Sequence, residues 1–411
     1  MKESFLLPHL AKVSQLSNWP KASVPAFAQV NDYIPWLCKV PCDYLLRDDP
    51  AGMAECSLLV QEYLDLDLIT ANLDVYNFEA EAIGAPIHYY KDHMPDLDRS
   101  NYLIKSEADF DKVCWKGLES GRFPYLISYA KAYAEYTGIP GTLVFSGPWT
   151  LAGNLYGLDN LILAAIEDPD FVHELLRRIV EDLHEPMFRE LRKLFPFMNQ
   201  IFFVDAFVSP PMSSMPIIRE FIEPSLHHEM EMLESLGIKN MIFNDAGIWG
   251  VTHVRKEDRD EFIDFTARMG AGIVTAYDPD AYDLGIRFFR EYADRNKAPL
   301  MIGLSTSFLR NASPEEVAER VKDYVLTGRD GITPMQFFFS NIAPETPIEN
   351  IAAAIAAVHT YGAPGADKNT SLVIPDKEPF EDFLKKKIKN NVEGYTFHWL
   401  EMSKYSGLLH S

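Results

Sequence analysis

Cysteine is scarce in this chain: Cys38, Cys42, Cys56 and Cys114 are the only four in 411 residues, all in the first third. They make neither a CxxC pair nor a secreted disulfide framework, so they read as reduced core thiols. Positive charge is also short. Lys and Arg number 38 against 60 Asp and Glu, a formal charge of −22. Such a field repels phosphate backbones and anionic lipid, so no nucleic acid and no membrane surface is expected as a partner. No apolar run approaches the roughly 18 residues of a membrane span. The opening MKESFLLPHLAK has no small-residue cleavage site after a long apolar core, so a cytoplasmic location is expected.

What is present is a strong apolar pattern, with 47% apolar and 12% aromatic residues. Eight runs rich in Val, Ile and Phe stand at 24–30, 68–75, 141–147, 201–207, 240–245, 272–278, 300–305 and 335–341. Helix-length segments separate them, the pattern of parallel strands buried on both faces. Residues 159–183 read as one such helix. Residues 311–326 open on Ser313-Pro314-Glu-Glu, a cap followed by Pro in the first turn, and 346–362 runs from Thr-Pro to Gly362. Eight strands close a barrel, so the fold expected is α/β, a (β/α)8 TIM barrel over residues 1–367. Residues 76–140 exceed one crossover and are expected as extra helices capping the barrel mouth. Residues 368–411 are expected as a helical tail packed on the barrel, with KKKIK (385–389) as a solvated face.

In such a barrel the carboxyl ends of the strands line the active site. Asp74, Asp205, Asn244, Asp245, Asp278, Ser340 and Asn341 fall at or near those ends. Tyr33, Trp36, Phe78, Trp149, Tyr156, Trp249 and Tyr277 flank them and as a cluster can stack on an aromatic ring, although each taken singly reads first as cap packing. His253 is the plausible site histidine. His227 and His228 read as solvated positions on an outer helix despite the i,i+4 spacing of Glu223 and His227, and His88 and His93 belong to the cap. No Gly-rich phosphate loop follows the first strand and no lysine stands where a Schiff base is expected, which disfavours nucleotide and pyridoxal-phosphate chemistry.

Three segments carry a family likeness. FSGPWTLAGNLYG (145–157) with EDPDFVHELL (167–176), SPPMSSMPIIREFIEPSLHHEMEMLESLG (209–237) and SNIAPETPIENIAAAI (340–355) resemble the uroporphyrinogen decarboxylase superfamily in order and spacing. The resemblance implies the same barrel and two branches of chemistry. Decarboxylases carry an Arg-Gln-Ala-Gly-Arg-Tyr segment after the first strand, whose arginines bind substrate carboxylates. Here AQVNDY (28–33) puts Ala28 and Asp32 at the arginine positions and keeps Gln29 and Tyr33. Acid in place of a bidentate cation reverses the interaction with a propionate. The decarboxylases' central aspartate has its counterpart in Asp74, while their tyrosine falls on Asn154 and their histidine on Ser340.

The other branch holds corrinoid-dependent methyltransferases, in which a zinc ion held by His-x-Cys and a later Cys activates a thiol. Asn244, Ala246 and Ser340 stand at those positions, so zinc lacks its usual ligands here. In NDAG (244–247) the turn is kept and the ligands are changed, and Asn244 and Asp245 are expected to bind or polarise an oxygen-bearing substrate, or else to cap the following loop. The resemblance therefore points to a methyltransferase that passes a methyl group from a small oxygen-bearing donor, such as an aromatic methyl ether, to a corrinoid held by a separate protein. This is O-demethylation of the kind found in anaerobic metabolism. Asp74, Asp205, Asp245 and Asp278 are the candidate acids, with Gln29, Tyr33, Trp149, Asn154, Asn244, His253, Tyr277, Ser340 and Asn341 around the substrate. The alternatives are a decarboxylase acting on a tetrapyrrole or other carboxylate, and a non-catalytic barrel that binds a tetrapyrrole or a corrinoid protein. A homodimer is suggested by analogy alone.

Overall fold

The computed structural model describes residues 23–67, 72–74, 76–137, 143–196, 200–238, 240–243, 250–269 and 272–389. The apolar runs form short parallel strands: β1 (Ala26–Ala28), β4 (Leu143–Ser146), β5 (Gln200–Val204), β6 (Asn240–Phe243), β7 (Val274–Tyr277), β8 (Leu300–Gly303) and β9 (Met335–Phe339). An antiparallel pair in the cap, β2 (Ile87–His88) and β3 (Asp96–Leu97), completes the set. The parallel strands lie in two arcs, ordered β1-β9-β8-β7 and β4-β5-β6. Ala26 pairs with Phe337 across the closing β1–β9 seam, joining the start of the chain to its last strand. The second expected strand, 68–75, falls mostly outside the described residues. Of the described residues there, Asp67 N–H donates to Ala26 O at 2.8 Å and Asn72 Oδ1 accepts Val30 N–H at 2.8 Å, so both meet the β1 segment.

Alternation along the strands divides the core. Phe27, Tyr277, Met301 and Phe338 meet in one apolar cluster, with Phe27 stacked on Phe338 at 4.7 Å. Phe145 and Phe203 point the other way and pack edge-on against Phe188 of the helix Glu185–Leu194, at 5.0 and 5.7 Å. Gly303 makes room for the Tyr277 ring, whose Cε1 lies 2.6 Å from where a Cβ would sit.

The helix expected over 159–183 is divided. Asp168 ends Leu158–Glu167 and caps Pro169–Arg178, its carboxylate accepting Phe171 N–H. An Asp-Pro pair starts a helix rather than continuing one, because proline cannot donate to the preceding turn. Further on, the coil widens to π turns over Ile179–His184 and Ile218–Ile222. Both stand just ahead of a proline, Pro186 and Pro224, whose missing N–H and bulky ring disfavour the tighter turn. The helix Pro314–Arg329 is capped by Ser313 and Glu316 as its sequence expects, and Ile348–Tyr361 ends at Gly362.

Residues 76–137 carry the helices Phe78–Ile83 and Phe123–Thr137 as well as β2 and β3. The tail helix Phe380–Lys389 packs Phe380 and Phe383 on Tyr63 at 5.1 and 5.3 Å, while Lys385 and Lys386 make surface ion pairs with Asp382 and Glu378. Among the described residues no helix is long and apolar enough to cross a membrane.

Candidate active site at the carboxyl ends of the strands

Two buried carboxyl groups flank the turn that follows β4. Ser146 ends the strand, and Pro148–Tyr156 begins a helix whose first backbone N–H groups lack intrahelical partners. Asp205, the residue after β5, meets this helix start. Its Oδ1 accepts from Thr150 N–H at 2.8 Å and from Thr150 Oγ1 at 2.5 Å. Its Oδ2 has no partner among the described residues. The carboxyl group lies against Gly147, where a Cβ would fall 2.6 Å from Asp205 Cγ, so only glycine leaves the space. Burial pushes the Asp205 carboxyl up to about 7, against the opposing pull of the Thr150 bonds.

Glu79, from the cap helix Phe78–Ile83, approaches the same turn. Its Oε1 accepts Ser146 N–H at 2.5 Å, and its Oε2 has no partner among the described residues. Burial lifts this carboxyl to about 7 as well, with His184 and the backbone hydrogen bonds opposing. Each of the two acids thus has one oxygen fixed by a backbone N–H and one oxygen without a partner among the described residues. His184, in the π turn ahead of Pro186, sets Nδ1 3.0 Å from Glu229 Oε2, and neither residue is exposed to solvent.

Asp74 is engaged on both oxygens. Oδ1 accepts from Asn77 Nδ2 at 2.8 Å and from Tyr76 N–H at 3.2 Å, and Oδ2 pairs with the buried Arg122. Arg122 also binds Glu81 at 2.6 Å and sits over the Phe78 ring at 4.5 Å. Burial alone would weaken its charge, but Asp74 and Glu81 outweigh that and hold the guanidinium firmly protonated. Asp278 is engaged too, accepting Ser305 N–H at 2.9 Å and Tyr324 O–H at 2.6 Å, with Arg320 at 3.7 Å. Burial still raises its carboxyl.

The remaining expected residues differ in place. Asn154 donates to Tyr76 O at 3.2 Å, close to the Glu79 turn. Trp149 is wholly buried, stacked with Phe221 at 6.3 Å, and its Nε1 has no partner among the described residues. Tyr33 is buried beside Trp36, and burial raises its phenol. Gln29 and Ser340 are half-buried past β1 and β9. Asn341 follows Ser340, with a buried Oδ1 that has no partner among the described residues. Tyr277 belongs to the interior aromatic cluster. His253 is exposed in a turn whose N–H groups are gathered by Asp280, with Gly250 N at 2.5 Å and Val251 N at 2.8 Å from Oδ2. Asn244, Asp245 and Trp249 lie outside the described residues. His228 pairs with Glu181 at 3.5 Å, and Glu223 pairs with Arg268 at 2.5 Å, so the two outer helices use these groups on their surfaces.

Glu79, Thr150, Arg122 and the His184–Glu229 pair have no role in the reading of the sequence. One signal was available: in NFEAEAIG (77–84), Glu79 and Glu81 recur among apolar residues, unlike a solvated acidic face. The donor set does not suit the zinc of the thiol-activating branch. Its ligand positions are Asn244, Ala246 and Ser340, and among the described residues no three His, Cys, Asp or Glu side chains converge to hold an ion.

Comparison with known proteins agrees with the architecture. The chain is 19% identical over 329 residues to a methylated-thiol–coenzyme M methyltransferase of Methanosarcina mazei, an alignment covering 79% of this chain and 81% of that protein. The solved structure of a methyltransferase from Methanosarcina mazei superposes with a TM-score of 0.64 at 18% identity, covering 86% of this chain and 98% of the other, a likeness of fold. The profile of the uroporphyrinogen decarboxylase (URO-D) family matches residues 45–361, well over half of the sequence. The chain belongs to the uroporphyrinogen decarboxylase family.

Proposed function

We propose that this chain is a methyltransferase that moves a methyl group from a small oxygen-bearing donor to the corrinoid of a separate protein. The observation that carries the reading over decarboxylation is the state of Asp74. A pyrrole-binding aspartate must offer its oxygens to substrate N–H groups, but both Asp74 oxygens are consumed by Asn77, Tyr76 and Arg122. Asp32 stands where a propionate-binding arginine would be needed, and its carboxylate accepts Met94 N–H at 3.0 Å.

Asp205 is the acid of this reading. Thr150 fixes one oxygen, and the protonated Oδ2 side serves the oxygen that departs as the carbon–oxygen bond breaks. The corrinoid, when its carrier presents it, supplies the cobalt nucleophile that takes up the methyl group. Asn154, Asn341 and the apolar strand ends bind and orient the donor in water-poor surroundings, where an acid near 7 is matched to neutral pH. The relatives that carry methyltransferase names support this class of reaction.

The test supplies reduced free cobalamin and a panel of methoxylated aromatics and simple methyl ethers, and follows loss of the reduced-cobalt absorbance. Turnover with at least one donor is expected, falling about 10²- to 10⁴-fold in Asp205→Asn, the usual range for a positioned general acid. Consumption of uroporphyrinogen in place of any methyl donor would establish the decarboxylase reading instead.

A further inference from the structure

Three ionisable side chains lie in the core behind the β4 turn with no solvent exposure: Glu79, His184 and Glu229. They come from three elements distant in sequence, the cap helix Phe78–Ile83, the π turn Ile179–His184 and the helix that begins at Glu223. Glu229 grips Nδ1 of the imidazole at 3.0 Å, so Nε2 faces away from it. Nε2, Glu79 Oε2 and Glu229 Oε1 all lack a partner among the described residues. Buried polar atoms are rarely left so. His184 packs on Phe188 at 5.7 Å and Phe188 on Phe145 at 5.0 Å, the residue before the Ser146 that Glu79 holds, so aromatic rings link the pair to Glu79. The walls are aromatic: Phe188 and Phe203 lie 5.7 and 6.2 Å from the imidazole. In such surroundings charge must balance within the cluster, because an uncompensated buried ion costs several kcal/mol. One imidazolium and one carboxylate balance each other, which leaves the third group to hold a proton.

We propose that Glu79 is a second proton-handling carboxyl at the β4 turn, and that His184, anchored by Glu229 and packed behind the same turn through Phe188 and Phe145, is its positioning residue. The electrostatics agree. Burial alone would discharge His184, but Glu229 and then Glu79 outweigh it and raise the imidazole above its ordinary value, while His184 in turn opposes the rise of Glu79. Asp74 is a further charged group felt by Glu79, and it acts to raise it. Geometry supplies the route to the mouth. Glu79 holds Ser146 N–H, and the next residue, Gly147, touches the Asp205 carboxyl. The inference deepens the proposed methyl-transfer reading, since it concerns the acid beside Asp205, but its test uses no turnover.

Histidine-selective ¹⁵N NMR of the full chain, with His184 assigned by the signal lost in His184→Gln, follows the imidazole from pH 5 to 9. The expected midpoint lies above the ordinary ~6.5 of histidine. Glu229→Gln lowers it by about one unit or more, and Glu79→Gln lowers it by several tenths. If Glu79→Gln does not fold, Glu79→Asp serves, with a smaller shift in the same direction. Infrared difference spectra of Asp205→Asn between pH 5 and 9, in which the other raised carboxyl is silent, are also expected to show a carboxylic-acid carbonyl band that disappears as the pH rises through about 7, the value to which Glu79 is lifted. A His184 midpoint unmoved by both Glu79 variants, or no such carbonyl band in Asp205→Asn, overturns the proposal. Neither result touches the methyltransferase reading, which stands or falls on the cobalamin assay.

Discussion

Asp205→Asn tests the site through stability as well as rate. The Asp205 carboxyl is pushed up to about 7 in the folded chain, against about 3.9 when unfolded. The folded protein therefore binds more protons than the unfolded chain between these values, and stability falls as pH rises across that window. The difference of about three units corresponds to about 4 kcal/mol, absent below pH 3.9 and fully present above 7. Asp205 is 1% exposed, so solvent does little to screen it. Roughly 3 kcal/mol of the total accumulates between pH 5 and pH 8 by the same linkage.

Asparagine keeps an oxygen to accept from Thr150 and carries no charge. Its amide nitrogen replaces Oδ2, which has no partner among the described residues, so the substitution costs about 1–3 kcal/mol at every pH. The variant is thus expected to be less stable than the parent at pH 5 and equal or more stable at pH 8. Urea unfolding of both proteins at pH 5, 6, 7 and 8 measures the difference directly, and titrations elsewhere in the chain cancel in the comparison. A stability difference that stays constant over this range would refute the raised carboxyl and, with it, Asp205 as an acid at neutral pH. A gain in stability at pH 8 joined to a loss of methyl transfer is the expected mark of a residue kept for chemistry.

Gly147→Ala puts a methyl group 2.6 Å from Asp205 Cγ, and overpacking of about 1–3 kcal/mol is expected in urea unfolding. No change there would show that the turn yields freely. Arg122→Met strands Asp74 and Glu81 without their shared cation, which should cost about 3–5 kcal/mol. Adding Asp74→Asn should recover part of that loss, and strict additivity in the double-mutant cycle would contradict the pairing. Asp280→Ala removes the acceptor for Gly250 N, Val251 N and Thr252 N and for the Thr252 hydroxyl, so limited proteolysis should cut near His253 faster than in the parent.

Most of the architecture was legible because strands buried on both faces write themselves as continuous Val, Ile and Phe runs. The Ser313-Pro314 start of a helix was legible for a local reason, since the cap and its Glu316 partner are three residues apart. The break at Asp168 was not, because apolar residues continue at helical spacing on both sides and mask an Asp-Pro signal only two residues long. The His184–Glu229 pair was hidden for another reason. Its members lie 45 residues apart, and the turn containing His184 reads as an ordinary amphipathic helix until Pro186 is seen to widen it.

Asp205 and Asp278 show where reading by position stops and chemistry begins. Both are aspartates just past a strand end, and the sequence treats them alike. Asp278 meets a backbone N–H and the Tyr324 phenol, one donor on each oxygen, with Arg320 nearby, so its lone pairs are spent inside the fold. Among the described residues Asp205 meets Thr150 alone, through both donors on one oxygen, and the space beside its second oxygen is held open by a glycine. The same residue type at equivalent positions is thus bound through both oxygens after one strand and, among the described residues, through one oxygen after the other, the state the proposed acid needs. The difference rests on Tyr324 and Gly147, neither of which carries a charge. Tyr324→Phe should therefore free one oxygen of Asp278 and raise that carboxyl further, because the phenol bond is among the groups that hold it down. It should do so without creating methyl-transfer activity in Asp205→Asn. Recovery of turnover in that double variant would mean that strand-end position, and not the pattern of donors, selects the acid.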